Sequence, residues 1–99
     1  MTNELVLNAL KRAVKADYAA WKKAAVKCYK LEASLCAATV DHPASMDELR
    51  KYERARDASE EAENAFQQDI RAFRAVCADA GLDPENAGLH PMYFAKEKA

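Results

Sequence analysis

The chain has 99 residues, of which 51% are hydrophobic and 31% charged, with a net charge of −1 and only two glycines, Gly81 and Gly88. That length suits one domain with a modest core, and the balanced charge gives no bulk attraction to nucleic acid or an anionic membrane. So few turn residues exclude a fold of short strands and tight hairpins.

What remains is rich in alanine, leucine, glutamate, lysine and arginine, the strongest helix formers, so the expected class is all-α. The opening Met1-Thr2-Asn3-Glu4-Leu5-Val6-Leu7 has no basic leader followed by an apolar run, and is not expected to be a signal peptide. No stretch approaches the roughly 20 apolar residues needed to cross a bilayer. The odd set of cysteines, Cys28, Cys36 and Cys77, falls inside expected helices, which fits free thiols in a reducing cytoplasm better than a disulfide framework.

The first helix is expected over about 3–40, capped by Thr2 or Asn3. Its seam runs Leu7, Leu10, Val14, Asp17, Trp21, Ala24, Cys28, Leu31, Leu35 and Ala38, a sustained 3-4 spacing broken only by Asp17. Tyr18, Ala25, Tyr29 and Cys36 lie beside that seam and widen it beyond what one partner helix needs.

A loop follows at 41–44, where Pro43 pushes His42 out of helical geometry. Ser45-Met46-Asp47-Glu48 then reads as a capping box opening a second helix to about residue 80. Its apolar face carries Leu49, Tyr52, Ala55, Ser59, Ala62, Phe66, Ile70, Phe73, Val76 or Cys77, and Ala80. Gly81 supplies the left-handed residue after its end, and Leu82 the apolar contact back onto the last turn.

Two long helices joined by so short a loop run antiparallel. Folding at 41–44 brings Leu35 to Leu49, Leu31 to Tyr52, Trp21 to Ser59, Ala62 and Glu63, Val14 to Ile70, and Leu10 to Phe73, so large side chains meet small ones around the middle. Charge sorting agrees. Residues 1–40 hold seven Lys or Arg against three acids, a net of +4, while residues 44–80 hold six against nine, a net of −3.

The C-terminal hook, residues 82–99, contains Asp83-Pro84, which starts a helical turn, and then Leu89-His90-Pro91-Met92-Tyr93-Phe94, with Pro91 opening a short helix that ends in Lys96-Glu97-Lys98. Such an apolar cluster is expected to fold back on the hairpin or to dock on another chain. An extended segment of that length reaches only about 20 Å, so it covers less than half of a helix pair on the order of 50 Å long. The loop-side end stays open. The expected architecture is therefore a long, coiled-coil-like antiparallel helical hairpin with a short C-terminal helical hook, able to dimerise into a four-helix bundle.

Candidate chemistry is sparse. Asp17 in the seam is either a shifted acid or a residue at the seam's edge reaching Arg71, Arg74 or water. His42 and His90 each precede proline with no ligand partner nearby, and neither C-x-x-C nor H-x-x-x-H occurs, so no metal or cofactor is expected. The cysteines at core spacing read as packing. Lys11, Arg12, Lys15, Lys22, Lys23, Lys27 and Lys30 cover the side away from the seam, and Glu60, Glu61 and Glu63 form an acidic run on the second helix. The expected function is non-enzymatic: an interaction, regulatory or inhibitor protein of the size phages and mobile elements encode, bound to itself as a homodimer or to another protein. The expected contact residues are Tyr18, Tyr29, Leu35, Leu49, Tyr52, Met92, Tyr93 and Phe94. The alternative is a nucleic-acid-binding hairpin using the lysine-rich face.

Overall fold

The structure, a computed structural model, describes residues 2–38 and 42–95. Helix α1 (Thr2–Cys36) and helix α2 (Met46–Asp79) pack side by side, and a 3-10 turn at Pro84–Asn86 leads into the single-turn helix α3 (Met92–Ala95). No strand occurs among the described residues. The pair is antiparallel: Leu31 and Leu35 share a groove with Glu48 and Lys51 at the loop end, one position from the expected Tyr52 and Leu49. Further along, Trp21 stacks on Phe66 with centroids 5.5 Å apart.

The ends of α2 follow from sequence chemistry. Ser45 sits in extended geometry, and its Oγ accepts from the Glu48 N–H at 3.1 Å. At the other end Gly81 adopts φ 71°, letting the Leu82 N–H donate to the Cys77 carbonyl at 2.8 Å and the Gly81 N–H to that of Ala78 at 3.2 Å. The Leu82 side chain does not complete the motif, because it is 46% exposed.

Helix α1 stops at Cys36, earlier than expected, with Ala38 N–H already bonded in the tighter i−3 pattern to Leu35. Leu35 is the last bulky seam residue, and alanines beyond it bury too little to hold another turn. Val40, the expected end, and part of the expected 41–44 loop lie outside the described residues, as do Lys96, Glu97 and Lys98.

Burial is lopsided. The core joins Leu7 and Val14 of α1, Phe66, Ile70, Phe73 and Cys77 of α2, and Leu89, Tyr93 and Phe94 of the hook. Two helices alone shelter only the line between them, and the hook supplies the third layer that closes these large side chains from water. Phe94 lies 6.2 Å from Phe73, with the Arg74 guanidinium 4.7 Å above its ring. The His90 Nδ1 accepts from the Met92 N–H at 3.1 Å, starting α3. Gly88 lets the hook turn at φ 99°, and a Cβ there would stand 2.6 Å from Lys11 Nζ.

Towards the loop, Ala55 is the one buried hydrophobic residue among those described, while Val26, Tyr29, Met46 and Leu49 are exposed. The molecule measures 63 × 20 × 14 Å. Its radius of gyration is 18.1 Å, against about 13 Å for a compact domain of this size.

Two outcomes follow from this packing. In a chain whose Cys28 and Cys36 are serine, cysteines at positions 31 and 51 are expected to be joined within one chain by a short bismaleimide. Cysteines at 31 and 79 are not, and crosslinking of that second pair instead would place the helices parallel. Phe94→Ala is expected to lower unfolding stability by about 3–5 kcal/mol, the range for a buried aromatic. Leu82→Ala, at an exposed site, should stay within about 0.5 kcal/mol in the same denaturant titration.

Candidate interaction surface

Where the hook ends, an open groove begins. Its volume is about 410 Å³, and it lies between α1 and α2 on the face the hook covers further along. One wall is aromatic: Tyr18 packs edge-on against Tyr93 of the hook at 5.1 Å and against Trp21 at 6.1 Å. The floor is low because Ala25, Cys28 and Ser59 are small. Tyr29, 68% exposed, and Val26, 51% exposed, rise along the α1 side. Lys22 stands at one rim with its ammonium 5.4 Å from the Tyr18 ring centroid, and Glu63 stands at the other.

Helical spacing explains this wall. Positions 18, 22, 25 and 29 fall on one side of α1, so the residues that widened the apolar sector in sequence become one continuous surface. Among the expected contact residues the structure separates three groups. Tyr18 and Tyr29 share the groove. Leu35, Leu49 and Tyr52 sit near the loop, with Leu49 exposed, Leu35 and Tyr52 half-buried, and the Arg56 guanidinium 6.0 Å from the Tyr52 ring. In the hook, Met92 is exposed, but Tyr93 and Phe94 are buried and offer no surface to a partner. Trp21, Val26, Ser59 and Glu63 complete the groove and were not among the expected contacts. The expected register had already set Ser59 and Glu63 beside Trp21, where the groove holds them.

The basic residues do not form one track. Lys27 joins Lys51 and Arg54 around a second groove of about 560 Å³ on the opposite face, floored by Ala24, Leu31, Ala55 and Ala58. Lys22 belongs to the first groove, and Lys11 lies against the hook at Gly88.

Asp17, expected in the seam or at its edge, has the Asp69 carboxyl of α2 as a neighbour. The two carboxyls lie close enough across the seam to act on each other's protonation. Asp69 Oδ2 is buried and no donor reaches it. Burial first, and then the hydrogen bond and the nearby charge of Asp17, push the Asp69 carboxyl up to about 6. Below about pH 6 the proton that Asp69 holds lies where Asp17 can accept it. Burial likewise pushes the Cys77 thiol up, which keeps it protonated and unreactive. No group of three His, Cys, Asp or Glu side chains suited to a metal occurs among the described residues.

No protein-family model, curated protein or solved structure matches this chain.

The carboxyl pair makes stability depend on pH. Asp69 rises from 3.8 in a solvated chain to about 6 in the fold, so between those values the folded state holds the extra proton. Its contribution is complete below about pH 4 and is lost as pH rises through about 6. Urea titrations from pH 4.5 to 7.5 are expected to show unfolding free energy falling across that window. Asp69→Asn should flatten the dependence, and an unchanged slope in that variant would remove Asp69 as its source.

Proposed function

We propose that this protein is a non-enzymatic interaction module, a small regulator or inhibitor that binds another protein chain through the uncovered face of its hairpin. The observation that carries the reading is the groove beyond the hook, with Tyr29 and Val26 exposed beside the half-buried Trp21 and Tyr18. Tryptophan and tyrosine are enriched at positions that dominate binding energy, because they bury much area for few rotatable bonds. A small floor flanked by large side chains offers both a hole and a knob to an incoming helix.

The chemistry elsewhere agrees with a binding role. The groove's polar groups are a serine, a thiol, a lysine, a glutamate, an indole N–H and tyrosine hydroxyls, spaced along helices rather than converged on one reacting atom. Cys28, Cys36 and Cys77 are free, which suits a reducing compartment such as the cytoplasm. No described helix is long and apolar enough to cross a membrane.

A photoreactive phenylalanine analogue at position 29, in cells that express the full chain, tests the reading. Illumination is expected to give discrete protein adducts from position 29 and none from position 12, on the solvated side. Equal labelling at both positions, or none at 29, would overturn it, and adducts to nucleic acid at 12 would favour the lysine-rich face.

A further inference from the structure

We propose that the chain covering this groove is a second copy of the same protein, lying antiparallel and staggered, with α1 against the partner's α1. The inference rests on the interaction reading above and supplies its occupant.

The first argument is shape. The described part of the hook forms a third layer over one half of the hairpin, and its Tyr93 meets Tyr18 at the edge of that layer. Among the described residues the other half, from Trp21 to Cys36, is a notch with no third layer. A second hairpin turned end for end lays its own notched half into this one, and its hook clears the end of the first. Each copy then completes the layer the other lacks. A parallel arrangement sets hook against hook and holds the grooves apart.

The second argument is the pattern along α1. Lys22, Ala25, Tyr29 and Glu32 are spaced 3-4-3 and fall on one face of the helix. Read backwards, the run opposes itself. In an antiparallel pair Tyr29 seats over the partner's Ala25, and Lys22 meets the partner's Glu32. Both contacts occur twice about the two-fold axis, as an isologous interface requires. Knob meets hole and base meets acid in a single register. Lys27 points into the opposite groove, which keeps its charge away from this contact.

The size suits a modest dimer. Sixteen residues of α1 give roughly 24 Å of uncovered length. Over a face 20 Å wide, that is on the order of 500 Å² a side and about 1,000 Å² in all, just below the standard range of stable interfaces, so the contact is that of a weak dimer formed at about micromolar concentration or above.

Sedimentation equilibrium of the full chain, at low ionic strength and micromolar concentration, tests the proposal. The wild-type protein is expected to be a dimer. Lys22→Glu alone and Glu32→Lys alone each place like charges in both symmetric contacts, and should raise the dissociation constant about tenfold. Mixed in equal amounts, the two variants pair opposite charges in both contacts, and the heterodimer should return to near wild-type affinity. Tyr29→Glu should weaken association by about 30-fold or more, as expected at a binding hot spot. Circular dichroism of each variant confirms that the helices persist. A wild-type monomer at 100 times that concentration overturns the second copy as occupant, while adducts to another protein from position 29 would still support the interaction reading. A dimer indifferent to Tyr29→Glu, or charge variants that fail to rescue each other, overturns this arrangement.

Discussion

A pair of helices can shelter only the strip between them, and the apolar sector of α1 is wider than that strip. Every later feature of this molecule depends on that mismatch. At the end with the chain termini, the hook resolves it by laying Leu89, Tyr93 and Phe94 over Val14, Phe66, Ile70 and Phe73. At the loop end no described residue does so, and the buried set there shrinks to Ala55. The contact of Tyr93 with Tyr18 therefore marks where the described core ends and where the open groove begins.

The opposite edge of the seam carries a different constraint. There the carboxyls of Asp17 and Asp69 come together across the helix pair. Two ionised carboxylates in that position repel, and a buried oxygen without a donor adds the loss of its hydration. Holding a proton between them converts a repulsive contact into a hydrogen bond across the hairpin. The polar defect thus ties α1 to α2 while the proton stays, and loosens the tie as the proton leaves.

Much of this was legible in the sequence, because the signals were local or periodic. Ser45 and Gly81 mark the ends of α2 through specific backbone needs, and the 3-4 spacing of apolar residues fixes the register to within one position. The end of α1 was less legible. No cap marks it, and whether a further turn of alanines holds is decided by tertiary burial that spacing alone does not reveal. The neighbour of Asp17 was hidden for a related reason. Arg71 and Arg74 lie near it in register, but a side chain's direction around α2 decides which residue arrives, and Asp69 points at the seam while Arg74 bends over Phe94. Apolar content marked the hook as a packing segment. It could not separate the buried Tyr93 and Phe94 from the exposed Met92, since the three are adjacent and equally apolar.

The asymmetry of the core also orders stability along the hairpin. Local opening free energy follows the apolar contacts that opening must break. Around Phe66, Phe73 and Phe94, three elements interlock and opening any one exposes large rings. Near Leu35 and Leu49, two helices meet through partly exposed side chains, and opening exposes little that water does not already touch. The half that offers the groove is thus the half with the least holding it together. A chain bound there adds the missing layer and raises the stability of the weaker half, so binding and local ordering are one coupled event. The same feature that leaves Tyr29 and Val26 available, a described core that ends at Tyr18, makes the loop-side half responsive to whatever covers it.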